Sequence, residues 1–82
     1  MMELVEFTEY IVKNISKDAD LVKVHSMNGE NDSVILTVLV PENSMGAVIG
    51  YQGKNAKSIR TLIQAYAYLH KLGRVEVNIE SF

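Results

Sequence analysis

Cysteine is absent from the 82-residue chain, which excludes both a disulfide framework and a thiolate metal site. Histidine is almost absent. His25 and His70 are the only imidazoles, and neither has a second histidine or a carboxylate at ligand spacing, so structural roles are expected for both and no metal or other cofactor. No apolar run approaches the roughly 20 residues of a membrane-spanning helix, and no membrane partner is expected. The opening Met-Met-Glu-Leu-Val-Glu-Phe is acidic and amphipathic, where a secretory leader is basic and then continuously apolar. The expectation is a soluble, unprocessed, cytoplasmic protein. No nucleophile–base pairing or metal-binding carboxylate cluster stands out, so the chain is not expected to be an enzyme.

There is also no internal repeat, low-complexity tract or linker. With 48% apolar residues, residues 1–82 read as one domain with a modest core.

Net charge is −2, but the charge is segregated. Residues 1–42 hold three lysines and eight acids, whereas residues 43–75 hold Lys54, Lys57, Arg60, Lys71 and Arg74 without one acid. Local charge sets a phosphate-binding footprint, while total charge mainly sets solubility.

Hydrophobic spacing predicts an amphipathic helix over residues 2–17, with Leu4, Phe7, Ile11 and Ile15 as its stripe and Val5 and Val12 beside them. Leu21 to Met27 alternates, Val22 and Val24 facing one way and Lys23 and His25 the other. Asn28 to Asp32 is a turn cluster, and Val34 to Val40 is a β-branched run suited to a central strand. The two strands should form a hairpin. Pro41, the single proline, closes the second.

Asn43 or Ser44 is positioned to cap a short helix ending at Ile49, with Gly50 in a left-handed C-terminal position. A longer helix runs from Lys54 to about Leu72, with Gly73 as its stop. On its wheel Ala56, Ile59, Leu62, Ile63 and Tyr66 face the core, and Lys54, Lys57, Arg60, Thr61, Gln64, Tyr68 and Lys71 face solvent. Arg74 to Ile79 then alternates as a last strand, with Val75, Val77 and Ile79 inward. Met45 is expected to fill the core.

The richest segment is Val48 to Ile59, Val-Ile-Gly-Tyr-Gln-Gly-Lys-Asn-Ala-Lys-Ser-Ile. Gly50 and Gly53 flank two residues. Glycine permits positive φ and removes the Cβ that would hold a ligand away. The helix start that follows offers the unpaired N–H groups of Lys54, Asn55 and Ala56, which attract phosphate. A phosphate-binding Gly-x-x-x-x-Gly-Lys-Ser/Thr loop does not fit, because Val48 stands where its first glycine belongs and Asn55 follows Lys54.

With Val48-Ile49 ahead of the glycines, Lys54 and Ile59 behind them, and this element order, the chain resembles a single KH domain. It is most similar to the small bacterial one-domain KH proteins, the KhpA family, over nearly its whole length. The resemblance implies an α+β, type II KH fold: order α-β-β-α-α-β, with a three-stranded sheet and helices packed on one face. It implies single-stranded RNA binding, with Gly50, Tyr51, Gln52 and Gly53 clamping the backbone of roughly four nucleotides. Val48, Ile49, Ala56 and Ile59 would wall an apolar groove for the bases, with Lys54, Lys57 and Arg60 as nearby charge. By the same resemblance, the Asn28–Ser33 loop would match the family's variable loop and flank the groove.

The resemblance further implies a role in RNA metabolism, as an RNA chaperone, and a homodimer or a heterodimer with a larger multidomain KH protein. Two features depart from the common KH pattern. The turn tip, Tyr51-Gln52, is uncharged where many KH turns carry a base, and Ala56 replaces a frequent isoleucine, as in many of the small bacterial proteins. Tyr51 can offset the neutral tip by stacking on a base, a contribution of about 1–3 kcal/mol. The competing reading is a KH-fold interaction scaffold with little RNA affinity, motivated by the acidic total charge and the neutral tip. Arg60, Lys71 and Arg74 read equally well as a solvated face, and Tyr68 as an exposed contact for RNA or a partner.

Overall fold

The structure, a computed structural model, describes residues 3–82. Helix α1 spans Leu4–Lys13, and the Glu6 carboxylate accepts the Glu3 backbone N–H at 3.2 Å. It stops four residues short of the expected end. The Asn14 side chain donates to the Tyr10 carbonyl at 2.6 Å, and the Ile15 N–H turns to the Val12 carbonyl at 3.0 Å, so the chain tightens and leaves the helix. The expected start at residue 2 lies outside the described residues. The wholly buried positions of α1 are Val12 and Thr8, while Leu4, Phe7, Ile11 and Ile15 are half-buried. Thr8 tolerates burial because its hydroxyl donates to the Leu4 carbonyl at 2.9 Å.

A 3₁₀ turn at Ala19–Leu21 delays the first strand, so β1 is Lys23–Asn28. It pairs antiparallel with β2, Val34–Val40, in a register from Lys23↔Leu39 to Asn28↔Val34. The hairpin turn is closed by the Gly29 N–H on the Ser33 carbonyl at 2.8 Å. The last strand, β3, spans Val75–Ser81 and runs parallel to β2, from Val34↔Val75 to Val40↔Ser81. The sheet order is β1-β2-β3. A parallel pair needs a long crossover, here formed by α2 (Glu42–Ile49) and α3 (Lys54–Leu69). This is the type II KH arrangement: a mixed three-stranded sheet with its helices on one face.

The core lies between that face and the helices. Val24, Leu36, Val38, Val40, Val75 and Val77 meet Val12, Val48, Ile59, Ile63 and Ala67. Met45 is half-buried against this cluster. Tyr66 is half-buried, with its ring stacked between Phe7 at 4.5 Å and His70 at 4.1 Å, which gives His70 a packing role. His25 is exposed on the outer side of β1.

Three expectations need correction. Neither Asn43 nor Ser44 caps α2, which starts at Glu42 after Pro41. Instead the Asn43 amide donates to the Asp18 carboxylate at 3.3 Å, and the buried Ser44 hydroxyl accepts from Ser16 at 3.0 Å, so both tie α2 to the segment after α1. Leu62 is not core: it is 48% exposed, having rolled past the edge of the buried arc centred on Ile59 and Ile63. Finally, α3 ends at Leu69, before the expected Leu72. The Leu72 N–H returns to the Ala67 carbonyl at 2.9 Å and the Lys71 N–H to the Tyr68 carbonyl at 3.2 Å, a Schellman closure with left-handed Lys71 (φ 56°) where glycine is usual.

Candidate nucleic-acid interface

Helix α2 closes with the Gly50 N–H on the Gly46 carbonyl at 2.9 Å. Gly50 then takes φ 77°, ψ 173°, a region open essentially to glycine alone. This combination is not the compact left-handed cap expected there, and it turns the chain outward rather than back over the helix. Tyr51, Gln52 and Gly53 form one 3₁₀ turn, with Gln52 at φ 53°, ψ 29°. Gly53 is left-handed at φ 75°, ψ 14° and leads directly into α3. The Tyr51 ring is 76% exposed, and Gln52 is exposed beside it.

The turn is braced from within. Gly53 donates its N–H to the Gly50 carbonyl at 3.1 Å, and Lys54 donates its own to Tyr51. The Lys54 amide is therefore engaged, contrary to the reading that left it open to a ligand. The Asn55 side chain donates to the Ala47 carbonyl at 2.7 Å, linking the end of α2 to the start of α3 across the turn. Sequence reasoning missed Asn55. The available signal was an asparagine in a first helical turn, a residue type that readily bonds local backbone.

Lys54, Lys57 and Arg60 are exposed. The Lys54 ammonium stands 5.9 Å from the centroid of the Tyr51 ring, at the outer limit of a cation–π contact. Among the described residues the one ion pair is Lys13–Glu9, so the basic side chains at the turn are not neutralised by carboxylates. Arg60 donates through Nε to the Val77 carbonyl at 3.3 Å, and the Gln64 amide donates to the Val75 carbonyl. Both carbonyls lie on the free edge of β3. Gln64 was expected only as a solvated position.

The groove expectation changes most. Val48, Ala56 and Ile59 are 0%, 5% and 1% exposed. They are core side chains that hold α2 against α3, and they present no wall to a ligand. Only Ile49 of the four keeps partial exposure. The physical reason is that helix α3 buries its Ala56–Ile59–Ile63 arc completely on the sheet. The Asn28–Ser33 loop lies at the start of β2, where Asn28, Gly29, Glu30, Asn31 and Ser33 line an open depression with Ile35, Arg74 and Glu76. Among the described residues no cluster of three or more metal-binding side chains occurs, and no helix is long and apolar enough to cross a membrane.

A sequence model described as the KH domain of KhpA/KhpB matches residues 5–79. This chain belongs to the KhpA/KhpB KH-domain family. Its relatives include the RNA-binding protein KhpA of Clostridium acetobutylicum, 44% identical over 62 residues, covering 76% of this chain and 81% of that one. KhpA of Borreliella burgdorferi is 40% identical over 63 residues, covering 77% and 76%. These relatives carry names of binding proteins from a non-catalytic family. Among solved structures, Era in complex with MgGDPNP and nucleotides 1506–1542 of 16S ribosomal RNA aligns with TM-score 0.61 at 18% identity. The alignment covers 96% of this chain and 30% of Era, and at that identity it speaks to the KH fold alone.

Proposed function

We propose that this chain binds single-stranded RNA without catalysis, using the Gly50–Gly53 turn as a backbone clamp. One observation carries the reading: the turn holds positive φ at Gly50, Gln52 and Gly53 and projects the exposed Tyr51 beside Lys54, whose ammonium has no carboxylate partner among the described residues. The two glycines let a sugar-phosphate backbone approach the main chain. With the Lys54 amide engaged, phosphate contact falls to the Asn55 and Ala56 amides of the first turn of α3 and to the Lys54 and Lys57 ammonium groups. Tyr51 supplies a stacking platform, and Ile49 supplies what apolar surface the groove has. Arg60, tethered through Nε, keeps further guanidinium N–H donors for phosphate.

The relatives' names, RNA-binding protein KhpA, support this reading over that of a scaffold with no RNA affinity. A single small clamp reads few bases, so sequence preference should be low. That suits an RNA chaperone or a general factor in RNA metabolism, working in the cytoplasm. A homodimer, or a heterodimer with a larger KH protein, would enlarge the footprint. The exposed flank of α3 carrying Leu62 and Leu69, 48% and 75% exposed, supports such pairing.

The test is binding of a short labelled single strand at low and moderate salt, for the wild type and for Tyr51→Asp with Gln52→Asp. Salt-sensitive affinity that the folded double variant loses is expected. No binding by the wild type at low salt would leave the scaffold reading.

A further inference from the structure

The basic, aromatic flank of α3 does not stop at the turn. Lys57, Arg60, Gln64 and Tyr68 follow one another at three- and four-residue steps, so they form one row down the helix. The Arg60 and Gln64 bonds to the Val77 and Val75 carbonyls fix that row along the free edge of β3. At its far end Gln64, Ala67, Tyr68, Lys71 and Gly73 line an open depression of about 580 Å³. The Tyr68 ring is 83% exposed there, more than the Tyr51 ring. From Lys54 to Tyr68 the helix rises roughly 21 Å at about 1.5 Å per residue.

Resting on the clamp reading above, we propose that a bound single strand continues past the turn along this row and ends at a second nucleotide site. There Tyr68 stacks a base, Gln64 offers an amide to its edge, and Lys71 holds its phosphate. Charge complementarity selects a nucleic-acid strand as the occupant. Residues 43–75 contain no acid, and Glu76 projects from the opposite face of the sheet, because Val75 and Val77 on either side of it are buried. Aromatic faces interleaved with bases along a groove are the usual means of holding single strands. The footprint is thus longer than the roughly four nucleotides of one clamp.

The experiment compares unstructured, labelled RNAs of about five and about twelve nucleotides by fluorescence anisotropy, for the full wild-type chain, Tyr68→Ala and Lys71→Gly. Tyr68 is exposed, and Lys71→Gly relieves a left-handed backbone, so both variants keep the fold. The wild type is expected to bind the longer strand more tightly than the shorter. Tyr68→Ala should weaken the long strand about five- to tenfold and leave the short one unchanged. Lys71→Gly should lower the salt slope on the long strand by about 0.7. If the short strand binds and the long one gains nothing, or if Tyr68→Ala binds the long strand like wild type, the extension is wrong and the clamp stands. Loss of self-association in Tyr68→Ala with RNA binding intact would assign the row to a protein partner and overturn the proposal. If neither strand binds the wild type, the clamp reading itself fails, and the extension with it.

Discussion

Asn55 fills the space where a side chain on Gly50 would be. Its amide donates to the Ala47 carbonyl at 2.7 Å, and a Cβ on Gly50 would lie 2.7 Å from its Cγ and 2.9 Å from its Cβ. Gly53 has nothing within 4 Å of the equivalent point. The two glycines of the turn therefore have different duties: Gly50 packs against the brace, and Gly53 opens a free surface.

Urea denaturation should separate them. Gly50→Ala combines a backbone region reserved for glycine with a clash against a pinned side chain, and should cost about 2–4 kcal/mol. Gly53→Ala keeps a compact left-handed conformation in open space and should cost about 1 kcal/mol. Equal losses would mean that the brace does not bear on Gly50.

Asn55→Ala removes one hydrogen bond at an exposed site and should lower stability by about 1 kcal/mol. Its effect on RNA affinity should be larger than that figure implies, since the turn loses its link to α2 and must be ordered on binding. In a double-mutant cycle, Asn55→Ala should recover only part of the steric share of the Gly50→Ala loss, up to about 1 kcal/mol, because it deletes the Cγ and amide but keeps the Cβ 2.9 Å away. Strict additivity of the two would count against the contact.

Lys71 offers a stabilising change. At φ 56° it occupies the closing position of α3 that glycine fills at lower cost. Lys71→Gly should stabilise the fold by about 0.5–1 kcal/mol, a rise in Tm of a few degrees in a domain of this size. A fall in Tm would show that the lysine side chain supports the helix end more than its backbone strains it.

The same residue shows why parts of the chain were legible and others were not. Gly73 is the glycine signal after the last helical turn, and it marked the end of α3 too late, because the left-handed position is held by Lys71, whose residue type gives no warning. Strands β2 and β3 and the turn between α2 and α3 were readable because β-branched runs and paired glycines impose local geometry on any fold. Burial in α1 and α3 was not. A periodic stripe fixes a helix face only to within a residue or two, so Leu62 was read as core, Thr8 was overlooked, and Val48, Ala56 and Ile59 were taken for groove walls when they are buried core side chains. Gln64 was invisible as a contact since its partner is a backbone carbonyl 11 residues away and carbonyls carry no sequence signature, while Asn55 gave only its residue type in a first helical turn, which does not name a carbonyl 8 residues away.

The misplaced leucine leads to the last prediction. Leu62 and Leu69 are separated by seven residues, two helical turns, and are 48% and 75% exposed; Ala65, between them, is also exposed. They share a flank of α3 distinct from the Lys57–Tyr68 row. A monomer gains nothing by leaving such a strip in water, whereas burying one exposed leucine against a second copy returns about 1.5–3 kcal/mol. Seven-residue spacing also lets two such helices lie side by side along one seam. Sedimentation equilibrium should therefore find a dimer for the wild type and a monomer for Leu69→Glu. That substitution leaves Tm nearly unchanged at low protein concentration, because its site is on the surface. Binding of the short RNA should persist in the monomer, with the avidity of the dimer gone. A wild type that stays monomeric across the micromolar range would remove self-association and leave the strip for a different protein.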